Sequence, residues 1–292
     1  MASIQILKRR VRSVRNTQQI TKAMELVAAS KMRRVQEAAM RTRIYSDATM
    51  DIVRRLSASP EAKRHLYFTP AATKSTLYII FNSDSGLAGA FNSNIFNAAV
   101  KAFVADKAAG IQPLVIAFGR KGSHHFSHAT NLSLVGDYEG VADDPDVNVF
   151  APVLETIEDG IKTAKFSRVD IIYTQFVSTM VQQVAVQPLL PIVPASQTTE
   201  TENQPASMVF EFEPDVQSVL DSALRLYFES SLRRARVESA ASEHAMRMLS
   251  MNSANRNAGD LIDNLTLELN ATRQAAITQE MAEIIGGADA IA

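Results

Sequence analysis

Residues 215–285 read DVQSVLDSALRLYFESSLRRARVESAASEHAMRMLSMNSANRNAGDLIDNLTLELNATRQAAITQEMAEII, with no proline and a single glycine, Gly259, and this run decides the fold. Pro214 stands where a first-turn proline would, and Gly286-Gly287 is a pair suited to ending a helix. One uninterrupted helix is therefore expected, roughly 105 Å long at the usual rise per residue. Ala258, Ile262, Leu265, Leu269, Thr272 and Ala276 step by alternating fours and threes, the stripe of a coiled coil whose one polar member is Thr272. The helix needs a partner. Upstream, Ala240 to Gly259 is built mostly from Ala, Ser, Asn, Met and Arg, which reads either as a narrow seam or as a bearing surface of small features.

The partner is at the other end. The first 59 residues contain neither glycine nor proline, and Pro60 ends the run. Ile4, Leu7, Val11 and Val14 form a stripe; after a phase slip Ile20, Met24 and Val27 continue it, and Val35, Ala39, Val53 and Leu56 take it up again. If the two helices pair antiparallel, the second is the longer, and roughly 20 Å of it should extend alone.

Between them the periodicity changes. Thr76–Asn82, Pro113–Phe118 and Val169–Gln175 read as buried strands, with helices over 94–109 and 149–165 and a short helix near His124–His128. Strands alternating with helices imply a parallel sheet. Val181–Val193 alternates and carries Pro188 and Pro191, which places it toward a sheet edge. Ala195–Ser207 reads as a loop and Met208–Phe212 as a last strand. The expected fold class is α/β: a Rossmann-like domain, 60–212, inserted between terminal helices, 1–59 and 213–292, that form an antiparallel coiled coil.

Of the 292 residues 46% are hydrophobic, enough for a real core, and no apolar run is long enough to span a membrane. The chain has no cysteine, which removes disulfides and thiolate chemistry. Its net charge of −1 hides a polarity: residues 1–64 hold 15 Lys or Arg against 5 Asp or Glu, and the rest of the chain reverses the balance. A basic start of this kind fits nucleic acid, an acidic lipid surface or an acidic protein partner. An Arg-rich, acid-free first 24 residues also resembles a transit peptide, yet the helical pattern runs on without a cleavage-like break.

The turn from the first strand into a helix, Asn82-Ser-Asp-Ser-Gly-Leu-Ala-Gly-Ala-Phe-Asn92, is glycine-bearing and so a candidate phosphate cradle. It is not G-x-G-x-x-G and lacks the Lys and Ser/Thr of a Walker A loop. Phe118-Gly-Arg-Lys-Gly122 is equally unspecific. His124 and His128 stand four apart, as a metal-gripping pair would, but without the glutamate of H-E-x-x-H. No nucleophile elbow or Ser/His/Asp spacing is found, so neither catalysis nor a cofactor is expected of this chain. A nucleotide-binding α/β enzyme with helical oligomerisation arms is the competing reading. A DNA-binding basic helix is a third, because Arg9, Arg10, Arg12, Arg15, Lys22, Lys31, Arg33 and Arg34 surround the first helix.

Thr17-Gln-Gln-Ile-Thr-Lys-Ala-Met-Glu-Leu-Val-Ala-Ala-Ser-Lys-Met32 and Arg273-Gln-Ala-Ala-Ile-Thr-Gln-Glu-Met-Ala-Glu-Ile-Ile-Gly-Gly-Ala288 together resemble the gamma subunit of F-type ATP synthases. Ser83-Asp84, Gly86-Leu87 and Gln187-Pro-Leu-Leu-Pro191 agree, and the likeness covers essentially the whole chain. Ser85, Ala88 and Ala90 depart from residues common in the family. What the resemblance implies is a non-catalytic rotor shaft. Its partners would be the alpha and beta subunits, the epsilon subunit and the membrane c-ring, with no nucleic acid and no span of its own. It would sit as a peripheral protein on the cytoplasmic face of a bacterial inner (plasma) membrane, with the inner membrane of a mitochondrion, for a mature organellar form, as the alternative. By matching position Met24, Arg247, Arg273, Gln274, Thr278 and Glu280 resemble residues that contact the beta subunit or couple rotation to catalysis.

Overall fold

A computed structural model describes residues 4–57, 65–68, 73–129, 132–192 and 215–289. Its elements in chain order are α1 (Ile4–Leu56), β1 (Ser75–Phe81), α2 (Phe91–Ala108), β2 (Gln112–Phe118), α3 (Arg120–Ser127) and β3 (Ser133–Tyr138). A 3-10 turn (Val147–Phe150), α4 (Ala151–Lys162), β4 (Arg168–Phe176), β5 (Gln182–Leu190) and α5 (Val216–Asp289) follow. The chain divides into two compact units: residues 30–246, and a discontinuous one of residues 1–29 with 247–292.

The larger unit is built on a five-stranded sheet of order β3-β2-β1-β4-β5. The first four strands are parallel and β5 pairs antiparallel with β4, so the alternating stretch with its prolines is an edge strand. Leu77 to Phe81 are all at most 1% exposed, the signature of a strand covered on both faces. On one face Phe91, Ile95, Ala99 and Phe103, one helical face of α2, meet Tyr78, Ile80, Val115 and Phe126. On the other, Val153, Ile157 and Ile161 of α4 join Leu220, Leu224, Tyr227, Leu232 and Ala235 of α5 and Val53 and Leu56 of α1 over Leu77, Ile79 and Phe81. Both long helices thus contribute to this core.

Within the same unit α1 and α5 run antiparallel, since Thr49 meets Ser230 and Arg43 meets Glu238. The expected seam residues Val35, Ala39, Val53 and Leu56 are buried. Between them the seam is closed by Thr42, Ser46 and Thr49; the Thr42 hydroxyl donates to the Ala38 carbonyl, and the Thr49 hydroxyl lies against the Ser46 carbonyl and Ser230 Oγ.

Several expected boundaries move. Strand β3 does not appear in the sequence reading, because Gly136 interrupts it and the pairing with β2 shifts register between Val115 and Ile116. Helix α5 starts at Val216, capped by Asp215, whose carboxylate accepts the Ser218 N–H at 2.9 Å and its hydroxyl at 2.7 Å. That helix also runs through Gly286-Gly287 to Asp289, glycine costing a helix only about 1 kcal/mol per residue. The loop over 195–207 and the strand over 208–212 lie outside the described residues.

The smaller unit is a two-helix antiparallel coil: Gln18 Nε2 reaches the Asn255 carbonyl at 3.5 Å, and Asn252 Nδ2 donates to Glu25 at 3.0 Å. Ala258, Ile262 and Leu265 are buried and Leu269, Thr272 and Ala276 half-buried, as the stripe predicts. On α1 the phase slip is absent. Ile20 and Val27 are 60% and 57% exposed, and the seam runs through Leu7, Val11, Val14, Gln18, Thr21, Glu25 and Ala28 without a break. Polar side chains occupy positions that hydrophobicity alone assigns to their neighbours.

Candidate functional site

The glycine-bearing turn after β1 is braced largely from within, with Asn82 Oδ1 left buried without a hydrogen-bond partner. Asn92 Oδ1 accepts the Ser83 N–H at 3.1 Å, Asn92 Nδ2 donates to Ser83 Oγ at 2.7 Å, and Ser83 Oγ donates to the Ser85 carbonyl at 2.8 Å. Asp84 Oδ1 takes the backbone N–H groups of Arg120 and Gly140, tying the turn to the start of α3 and to the segment after β3. Gly119 sits at φ +96, where a Cβ would fall 2.3 Å from the Asn82 carbonyl oxygen, so the second glycine-bearing turn serves close packing. The pattern is that of an internally braced corner.

The crevice beyond the carboxyl ends of β1 and β4, where strand order reverses, is the place at which open α/β sheets bind ligands. Here the chain's own helices fill it. Ser239 Oγ donates to the Phe81 carbonyl at 3.4 Å and Ser242 Oγ to the Thr174 carbonyl at 3.1 Å, while Arg43 Nη2 reaches the Phe176 carbonyl at 3.2 Å. Ala240 to Ala245 are all buried against this end of the sheet, so that part of the small-featured stretch is core rather than an exposed bearing surface. The two glycine-bearing turns are thus held by contacts within the chain.

Along the buried stretch α5 also grips the segment after β3. Arg236 donates to the carbonyls of Val141 and Ala142, His244 Nε2 lies 2.9 Å from Asp143, and Arg233 pairs with Asp144. Burial pushes the Asp143 carboxyl up, but His244, Arg236 and Lys31 outweigh it and hold it below the ordinary carboxylate range. On α3, His128 Nδ1 faces the His124 carbonyl at 2.8 Å and His125 stacks on Phe96 at 4.0 Å. Among the described residues no group of three His, Cys, Asp or Glu is placed to hold a metal. A groove of about 620 Å³ between α4 and the first turns of α5 is lined by Tyr67, Leu154, Glu158, Lys162, Asp221 and Arg225, opposite charges that pair or face water.

All six residues carried by the family resemblance fall in the two-helix unit. Met24 is half-buried beside the polar stretch of the seam. There Asn252 donates to Glu25, Lys22 pairs with Glu25 at 3.2 Å, and Arg256 donates to Asn252 at 2.6 Å. The hydrogen bond from Asn252 outweighs burial and holds the Glu25 carboxyl below its ordinary range. Arg247 is 8% exposed. Arg273, Gln274, Thr278 and Glu280 are exposed, and the Thr278 hydroxyl donates back to the Gln274 carbonyl at 3.0 Å.

The register set by the Gln18 and Glu25 contacts puts Ile4 opposite roughly residues 269 to 273, leaving about 25 Å of α5 beyond it. From Ile277 to Ile285 every residue is exposed. Ile277, Met281, Ile284 and Ile285 recur at helical spacing on one face, 49%, 53%, 71% and 64% exposed. Arg9, Arg10, Arg12, Arg15 and Lys22 are likewise exposed on α1. The unit therefore offers an unaccompanied, partly apolar helix end and a basic helix, and among the described residues no helix is long and apolar enough to cross a membrane.

Known proteins share this arrangement. Residues 3–291 match the family model described as ATP synthase. The ATP synthase gamma chain of Clostridium acetobutylicum is 36% identical over 290 residues, covering 99% of each chain. That of Chloroflexus aurantiacus is 37% identical over 294 residues, covering 100% of this chain and 99% of the relative. In fold the chain is similar to one in the rotor of the Euglena gracilis mitochondrial ATP synthase, with a TM-score of 0.63 at 16% identity over 94% of this chain and 98% of that one. A chain from the central stalk and c-ring of the Tetrahymena thermophila enzyme gives 0.56 at 24% identity, over 80% and 99%. With full-length relatives above 30% identity and a family model spanning nearly every residue, this chain belongs to the ATP synthase gamma chain family.

Proposed function

We propose that the chain is the central-stalk rotor subunit of an F-type ATP synthase, coupling rotation of a membrane c-ring to ATP synthesis or hydrolysis in a ring of alpha and beta subunits. The observation that carries this reading is the bare end of α5, where Ile277, Met281, Ile284 and Ile285 expose one apolar face with no partner helix beside it among the described residues. Such a face is explained by an apolar sleeve that holds the helix end and lets it turn. The chain is not itself an enzyme. It acts as a ligand with different affinities for successive states of the catalytic subunits, and turning it shifts which state is favoured.

Within that role Arg273, Gln274, Thr278 and Glu280, exposed on the overhanging helix, together with Met24 and Arg247, are the contacts through which the beta subunits sense angle. The basic residues around α1 meet acidic loops, an attraction strong enough to align and weak enough to break. Residues 1–59 and 213–292 form the shaft, and 60–212 the body that meets the epsilon subunit and the c-ring. The complex holds the chain at the cytoplasmic face of a bacterial plasma membrane.

ATP hydrolysis by alpha and beta subunits reconstituted with this chain, intact or truncated before Arg273, tests the proposal. Strong activation by the intact chain and loss of that activation on truncation are expected. An intact chain that neither binds the ring nor changes turnover would sink it.

A further inference from the structure

The stretch of α5 from Leu232 to Ala245 crosses the carboxyl end of the sheet with almost every residue buried, yet it contains few large apolar side chains. Ala235, Ala240, Ala241 and Ala245 bring the backbone close and leave a smooth surface. Apolar contact is non-directional, so a smooth helix surface resists separation far better than it resists rolling. Resistance to rolling needs directional contacts.

Arg233, Arg236 and His244 direct theirs at the segment after β3, and those that join α5 to α1 within this stretch converge on Glu238 and its neighbour Arg234. Glu238 has a fully buried side chain. Its Oε1 accepts from Arg43 Nε at 3.1 Å, from Arg43 Nη2 at 3.0 Å and from Arg234 Nε at 3.1 Å. Arg43 also donates to the Phe176 carbonyl at the end of β4, and Arg234 Nη1 reaches Asp47 of α1 at 2.6 Å. One carboxylate thereby ties α1, α5 and the sheet at fixed angles. Ser239, the next residue, and Ser242, one turn on, add hydroxyl contacts to β1 and β4. Meanwhile Glu238 Oε2 is buried without a hydrogen-bond partner, a cost that an apolar side chain of similar volume would avoid. The best-attested use of such a costly buried group is to fix one geometry among several of similar energy.

We propose that Glu238, held by Arg43 and Arg234, is a positioning residue that works as a torsional key, fixing the angle of the helix pair on the sheet so that load passes between them. The proposal rests on the central-stalk reading above. It separates two properties that packing alone would join, because the key is dispensable for folding but needed when the rotor works against a load.

The test uses the complete ATP synthase reconstituted in closed vesicles, with ATP hydrolysis and ATP-driven proton pumping measured side by side. The triple variant Arg43→Met, Arg234→Met, Glu238→Leu should assemble, melt no lower than the wild type and hydrolyse ATP at the wild-type rate in uncoupled vesicles. Its pumping should fall about fivefold as the gradient builds, the low end of what losing a coupling between sites produces. Glu238→Gln, which keeps the shape and removes the charge, should show a smaller loss in the same direction. Full pumping against the gradient in both variants overturns the key alone. Loss of assembly, or of hydrolysis in step with pumping, in the triple variant also overturns it, since the role would then be structural. A wild-type chain that supports no pumping overturns the central-stalk reading, and the key with it.

Discussion

The larger unit is filled with rings and branched chains: Phe81, Phe118, Phe150 and Phe166 are each at most 1% exposed, and Phe81 stacks on Phe118 at 4.6 Å. The smaller one closes its seam with Leu7, Thr21, Glu25, Ala28, Ala258 and Gly259, and leaves the end of α5 bare. Gln18 even lies across Gly259, with its amide nitrogen 3.2 Å from where a Cβ would be. One unit is stabilised by the area it removes from water. The other is narrow, keeps its register with polar pairs, and leaves apolar surface uncovered among the described residues.

The largest effect should come from emptying the aromatic core. Phe81→Ala removes a fully buried ring and should cost about 3–5 kcal/mol, read as a lower midpoint in urea. If hydrogen exchange in 4–29 and 247–285 stays as protected as before while 75–118 opens, the two units are energetically distinct. Equal loss of protection in both would erase the contrast.

A smaller effect is expected at Asp143, which ties the segment after β3 to His244 and Arg236. Asp143→Asn should cost about 1–3 kcal/mol at neutral pH, as charge-assisted hydrogen bonds do. Because the folded carboxyl sits below its ordinary range, its contribution is present above the unfolded value near 3.9 and is lost as pH falls through the lowered folded value. The wild type should therefore lose this clamp only below about pH 4, and the variant's stability should change less over that window. An acid limb of unchanged steepness would show that Asp143 does not carry the clamp.

The smallest effect on stability sharpens the comparison most. Ile284→Ser, at 71% exposure, should move the midpoint by no more than about 0.5 kcal/mol, because most of the side chain already faces water. It should nonetheless reduce self-association of the isolated chain in sedimentation. A clear loss of stability would mean that the helix end is covered by the chain itself.

Much of the larger unit was legible in the sequence because its strands are doubly covered. β1, β2 and β4 announce themselves as apolar runs, whereas β3, half-exposed and broken by Gly136, has no such pattern. The coil was legible in outline and wrong in detail. A seam that uses Gln18, Thr21 and Glu25 defeats a search for hydrophobic stripes, and it made exposed Ile20 and Val27 look like core. Asn252 and Glu25, with complementary donor and acceptor, were the available signal. The proposed contact residues were a different matter. Arg273, Gln274, Thr278 and Glu280 touch little within their own chain, so no internal packing argument marks them, and only the likeness of whole motifs did. The buried ionic cluster at Glu238 gave no sequence signal either, since Arg43 and Glu238 are 195 residues apart.

The smaller unit is assembled from the two extremes of the chain, residues 1–29 and 247–292. During synthesis at about 5–20 residues per second, Leu7 leaves the ribosome about 13 to 52 s before the segment that covers it. For that interval a nascent helix bearing Leu7, Val11 and Val14 has no mate, and premature pairing with a neighbouring nascent chain competes with the correct closure. A seam of glutamine, threonine and glutamate is poor bait for such errors. The narrowness that looks like weakness in the finished protein protects it while it is being made.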